Sequence, residues 1–389
     1  MNRKWDIIDT TLLCLTFYEP PFLPHGIFLA FKYFTILFLL VKYGMQINNI
    51  WNVILPAMLY SLATLSSTMI NKMAMNTVVA SFMYGSQIVT VFLVTYKMIK
   101  RNGVYVFVDW LAHIFGCLAI LSDLLMLFIH YDFSNPSEEY LIGNKFVIAY
   151  IHCFWIALVF YKYKMLDVPL LRNGKISCKK LKYAMKGIVT AILSFVVCMR
   201  VTTSTGMIAV VVLTLLMIMP IGIRKILSSN YALIAAAVII NILNFGTAQL
   251  MNNVYVQYFI HDVLGKPSTL SGRAQIWAII FGFIRKKLFL GYGYYNGMIE
   301  TYLGYGNPQN GVLKILLDTG IIGLLLYSIL VFVALRPLNG KNFALNFSII
   351  AFLYAMIVAS LVEINLTHMI VFMALAIVAF GCERKEINS

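Results

Sequence analysis

Residues 104–130 read VYVFVDWLAHIFGCLAILSDLLMLFIH. The run is overwhelmingly apolar, and its only acids are Asp109 and Asp123. As a helix rising about 1.5 Å per residue it is long enough to cross a hydrocarbon core of about 30 Å. Backbone groups in lipid must bond internally, so a helix is the natural spanning form. The short alternating pattern of a membrane β-barrel is absent. Similar segments recur near 6–22, 26–43, 50–70, 77–98, 146–165, 183–199, 205–223, 231–251, 311–333, 344–363 and 366–382. The first is cut short by Pro20, Pro21 and Pro24, which also fits a re-entrant segment. The predicted fold is all-α: one polytopic membrane bundle of about twelve transmembrane helices over residues 1–389. Composition agrees. Of 389 residues 61% are hydrophobic and 12% charged, and the mean hydropathy is +0.84. A soluble domain cannot hide that much apolar surface.

Charge orients the bundle. Arg3 and Lys4 precede the first span, and Lys97, Lys100 and Arg101 separate the fourth and fifth. Residues 162–186 carry Lys162, Lys164, Arg172, Lys175, Lys179, Lys180, Lys182 and Lys186. Arg224 and Lys225, Arg336 and Lys341, then Arg384 and Lys385 follow. Twelve crossings put all of these on one side, which the positive-inside rule makes cytoplasmic, with both termini. The net charge of +15 is thereby explained by topology, and no exposed basic domain suggests nucleic acid. Six scattered cysteines form no CxxC or metal-ligand spacing. No acidic cluster calls for a divalent ion, and no cofactor is expected. No small-residue cleavage site follows the first apolar run, which reads as retained. Inside the fifth span, Asp109 and Asp123 read either as proton-relay groups or as partners of neighbouring polar residues.

This topology places residues 252–310 outside. The loop is too long for a turn and too apolar for a disordered linker. The stretches 254–260 and 276–284 read as interfacial helices. Trp277, Tyr292, Tyr294, Tyr295, Tyr302 and Tyr305 suit an aromatic belt at headgroup depth. No internal repeat marks a secondary transporter. Three short motifs stand out: Ser271-Gly272-Arg273 with Trp277, Leu290-Gly291-Tyr292-Gly293, and Gln309-Asn310 with Leu313 and Gly320-Ile321-Ile322-Gly323-Leu324. Gly320 and Gly323 read as packing residues.

In order and spacing these motifs resemble the Wzy- and WaaL-like polysaccharide polymerase and O-antigen ligase family. Its members carry SGR-x-x-x-W, a GYG turn, and His-Asn before a G-I-I-G-L helix. Here Gln309 stands where the family has His. Ligases are thought to use that His at the reaction centre, so its absence favours a polymerase. The family's outer Ser-Arg pair has no literal match, but Arg200 lies four residues before Ser204.

The resemblance implies a membrane glycosyltransferase that polymerises lipid-diphosphate-linked repeat units into a surface or capsular polysaccharide. Undecaprenyl diphosphate would be the leaving group. Negative charge grows on a departing diphosphate, and guanidinium groups are permanently charged with donors that match phosphate oxygens. Arg273 and Arg200 are assigned that role. Asp318 is the chosen candidate for the acceptor's base, ahead of His261, Asp262, Glu300, Glu363 and His368. Ser271, Trp277, Tyr292, Tyr294, Gln309 and Asn310 are assigned to substrate binding. The implied partners are the lipid-linked oligosaccharide, membrane lipids, a flippase and a chain-length regulator. Ligase-type transfer of the glycan to another acceptor is the nearest alternative, and a flippase or other transporter is the competing class.

Overall fold

A computed structural model describes residues 3–45, 50–129, 131, 138–164, 171–172, 175–176, 178–250, 269–304, 307–339 and 343–381. Within these, the side chains at 163–164, 171–172, 175–176, 178–181, 183, 243–250, 269–275, 278, 339 and 343–346 lie outside the description. So do the stretch 254–260, His261, Asp262 and Tyr305.

The helices are α1 Arg3–Leu15, α2 His25–Gly44, α3 Trp51–Ile70, α4 Met75–Asn102, α5 Val104–Phe128, α6 Lys145–Lys164, α7 Cys178–Arg200 and α8 Ser204–Ile218. They continue as α9 Ile221–Leu227, α10 Asn230–Leu250, α11 Thr269–Lys286, α12 Met298–Leu303, α13 Gly311–Leu335, α14 Phe343–Ala359 and α15 Met369–Gly381. Two antiparallel hairpins of two-residue strands are the β structure among the described residues. There, α2 to α6 and α13 are long and apolar enough to cross a membrane, and α9 with α10 meets that test only as a pair bent by 77°, the form of a broken span or a re-entrant loop. Shorter apolar helices cover Ser204–Ile218, Phe347–Ala359 and Met369–Gly381. The chain is an all-α, multi-pass membrane protein.

Apolar surface sorts the helices. On α7, Ile188, Ile192, Val196 and Met199 are exposed, as a lipid-facing side requires. By contrast, α15 is buried on all sides from Met369 to Phe380. A helix apolar all round belongs inside such a bundle. The first helix is shorter than its sequence suggests. After Leu15 the chain turns, with the Thr16 and Phe17 amides bonding back to Leu13 and Cys14 carbonyls. Gln87 of α4 then secures the turn, donating to the Thr16 carbonyl at 3.1 Å and hydroxyl at 2.9 Å.

Ion pairs gather several helix ends on one face. Asp6 of α1 accepts from Arg101 at 3.0 Å and from Asn102 at 2.9 Å, both at the end of α4. Asp9 accepts from Lys42 at 2.6 Å and from the Tyr43 hydroxyl, at the end of α2. Asp109, near the start of α5, pairs with Lys162 at the end of α6. The deeper Asp123 also has a partner. The buried His152 ring of α6 places Nε2 3.2 Å from Asp123 Oδ1 and Nδ1 2.9 Å from Ser194 Oγ of α7.

Candidate functional site

The end of α13 that bears the third motif is set by Asn310. Its side-chain oxygen accepts from the Val312 and Leu313 amides, each at 3.0 Å, which satisfies donors that a helix start leaves open. Its Nδ2 donates to the Leu361 carbonyl at 3.3 Å, and the Gly311 amide donates to Ser360 at 2.8 Å. Asn310 is fully buried, so it fastens the helix to the turn after α14. Gln309 precedes it in the left-handed region at φ 49°, its amide bonded to Asn307 Oδ1 at 2.8 Å.

Two turns later the helix breaks. Gly320 adopts φ 64°, ψ −165°, a region open chiefly to glycine. A break inside a span strands backbone groups that lipid cannot satisfy. The Leu290-Gly291-Tyr292-Gly293 motif satisfies them. Tyr292 and Gly293 amides donate to the Leu317 and Asp318 carbonyls at 2.7 and 2.9 Å. In return the Ile321 and Ile322 amides donate to the Leu288 and Phe289 carbonyls at 2.8 and 3.3 Å. A Cβ on Gly320 would overlap the Phe289 carbonyl, and one on Gly291 would press on Leu317 and Asp318 backbone. The second and third motifs are thus two halves of one backbone knot. Ser67 of α3 clamps it, its hydroxyl meeting the Leu290 and Asp318 carbonyls. Asn71 donates to the Gly291 carbonyl at 3.1 Å.

Beneath the knot sits a buried ion pair. Lys314 Nζ lies 2.8 Å from Asp318 Oδ1 and 2.7 Å from Oδ2. Asn296 Nδ2 donates to Asp318 Oδ1 at 2.9 Å and to the Gly293 carbonyl at 2.9 Å. Aromatic rings extend the cluster. The Tyr294 amide donates to Thr68 Oγ1 at 3.0 Å, and its ring stacks on Tyr84 at 5.0 Å. Burial, with Tyr295 and Asp318 nearby, pushes the Tyr294 phenol well above its ordinary range, so it remains a neutral hydroxyl. Tyr295 meets Tyr294 edge-on at 4.6 Å, lies 5.9 Å from Lys314 Nζ, and is 71% exposed.

The other assigned residues fall in different places. Trp277 is buried in a satellite core with Ile280, Tyr292, Leu313 and Leu317, and its indole donates to the Pro308 carbonyl at 3.3 Å. Tyr292 shares that core and bonds through its hydroxyl to Phe283 O at 2.9 Å. Both therefore depart from the expected headgroup belt, since they pack α11 and the loop onto α13. Tyr302 stays exposed. Ser271 and Arg273 have helical backbone in the first turns of α11, and their side chains lie outside the described residues. Arg200 ends α7, exposed, and its Nη2 donates to the Met126 carbonyl of α5 at 3.4 Å. The structure thus brings together Asp318 and Tyr294, about two helical turns along α13 from the Gln309–Asn310 helix start. Lys314, Asn296, Ser67 and Thr68 were not anticipated. Lys314 carried a signal, since a cation four residues before an acid on an apolar helix is a ready pair. The α3 hydroxyls carried none, being more than 200 residues away.

No charged cluster suited to a metal occurs among the described residues. No curated protein and no solved structure gives a significant match to the chain. Residues 189–328, however, match the O-antigen ligase family (Wzy_C). That segment encloses Arg200, Arg273, the knot and the Lys314–Asp318 pair. Over those residues the chain is similar to the O-antigen ligase family, which supports a Wzy- and WaaL-like relationship.

Proposed function

We propose that the protein is a membrane glycosyltransferase that polymerises lipid-linked oligosaccharide repeat units into a surface, capsular or exopolysaccharide. The bond between the donor's anomeric carbon and a diphosphate oxygen breaks as the acceptor hydroxyl attacks that carbon. Arg273 and Arg200 hold the undecaprenyl diphosphate and stabilise the charge it carries away. Asp318 takes the acceptor's proton, with Lys314 and Asn296 fixing the orientation of its carboxylate. The observation that carries this reading is the knot itself. Two motifs of a glycan-transfer family meet backbone to backbone over a buried acid–base pair, where a plain membrane span needs neither the break nor the charges. Gln309 at the family's His position favours polymerisation over ligation.

The same reading has twelve crossings in one membrane domain. The face gathered by the Asp6, Asp9 and Asp109 pairs is cytoplasmic, as are both termini. Residues 252–310 are external and carry the catalytic elements. A flippase delivers the substrate and a chain-length regulator acts on the product. Replacing Arg273 with Ala and with Lys in the native strain tests the assignment. Loss of long chains, with single repeat units still made and exported, is the expected result. Unchanged chain length in both variants removes Arg273 from the mechanism. Substrate trapped in the cytoplasmic leaflet of a deletion strain instead identifies a flippase.

A further inference from the structure

Helices α5 and α7 flank α6 and leave a slot between them, away from the knot. Its cavity measures about 730 Å³. Nearer the Phe128 end of α5, His152 ties α5 to α7 through Asp123 and Ser194, and Arg200 reaches Met126. Nearer the Val104 end the cavity walls carry Asp109, His113, Lys162, Lys182 and Lys186. Asp109 is paired with Lys162, and among the described residues the lining cations Lys162, Lys182 and Lys186 outnumber the one acid, so this mouth is positive. Deeper in, the lining turns apolar, with Ile120, Trp155, Met185 and Val189. Trp155 packs so closely on α5 that a Cβ on Gly116 would approach its Nε1 to 2.7 Å. Met185 and Val189 are about half exposed, so the slot opens sideways to lipid.

A positive mouth leading into an apolar slot that faces lipid matches one ligand class in charge and polarity: an amphiphile with an anionic head and a hydrocarbon chain. We infer that this slot holds an anionic phospholipid, its phosphate between Lys182, Lys186 and Lys162 and one acyl chain along Trp155 and Val189. In the orientation proposed above this lipid belongs to the cytoplasmic leaflet, opposite the transfer site. The inference does not require the transferase reading. General positive-inside lysines would attract anionic lipid diffusely; a built slot binds it saturably and needs both the charges and the space.

The test uses the full chain, purified in detergent and stripped of lipid. Phosphatidylglycerol and phosphatidylcholine with identical chains, and free glycerol phosphate, are compared by native mass spectrometry and thermal shift. Phosphatidylglycerol alone should bind saturably and stabilise the protein. The double variant K182A/K186A should weaken it by about tenfold or more, while K182R/K186R keeps it. Val189→Trp, which fills the slot without touching a charge, should also weaken it, and this variant carries the test should the double alanine variant fail to fold. Equal binding of the two lipids overturns the inference. So does equal loss on Lys97→Ala, which removes a basic residue outside the slot, or unchanged binding in Val189→Trp. Binding of glycerol phosphate as tight as the lipid reduces the site to a phosphate site and overturns it as well.

Discussion

The two faces of the bundle are fastened by different means. On one, side chains do the fastening: Asp6 to Arg101, Asp9 to Lys42 and Asp109 to Lys162. On the other, the backbone does it. The loop before α12 and the break in α13 exchange four main-chain hydrogen bonds, and α3 adds two side chains to the seam. The difference is one of tolerance. In the Asp6 and Asp9 pairs the cation is partly exposed, so loss of the carboxylate leaves a charge that water can reach. A backbone seam admits no side chain at its closest approach and fails as a unit. The knot, which lies within the family-matched segment, is on the rigid side of this comparison.

Changing Gly320 should break the contrast most severely. Gly320→Ala adds a methyl group against the Phe289 carbonyl and forces an alanine to positive φ. The expected cost is about 3 kcal/mol or more, read as loss of monodisperse protein on size exclusion and loss of polymer in cells. Recovery of both would show that the seam is not tight. Next comes the Lys314–Asp318 pair. Either single neutralisation, Lys314→Met or Asp318→Leu, leaves a buried unpaired charge and should cost about 3–5 kcal/mol. The double variant should regain most of the thermal stability yet make no polymer. Polymer from the double variant would make the pair purely structural. The smallest effect belongs to the other face. Asp6→Asn keeps room for a bond to Asn102 while losing charge against the half-exposed Arg101, and should cost about 1 kcal/mol. Polymer length should not change. A loss as large as that for Gly320→Ala would erase the distinction between the faces.

Much of the bundle was legible in hydropathy. The segments expected at 26–43, 50–70, 104–130 and 146–165 are His25–Gly44, Trp51–Ile70, Val104–Phe128 and Lys145–Lys164. Apolar length and charged ends set these limits, and both are local. The segment expected at 6–22 ends at Leu15 because the chain turns before Pro20, where Gln87 holds it. The span expected at 311–333 was read as continuous. Gly320 and Gly323 looked like packing residues, because a glycine at a helix contact and a glycine at a helix break read alike in sequence. What separates them is a partner strand of backbone, which sequence spacing does not reveal. The site was legible in its motifs but not in its assembly. Asn310 and Trp277, quoted for the family pattern, cap a helix and anchor a loop. Ser67, which joins both motifs, has no motif of its own.

Helix α15 has a consequence for how the bundle holds together. Its thirteen residues extend about 20 Å, short of a bilayer's apolar depth, and neighbours cover it on every side. Its seat is therefore made of protein, chiefly α4, α13 and α14, so a substitution that splays any of these three unseats an apolar helix that has no lipid-facing side of its own.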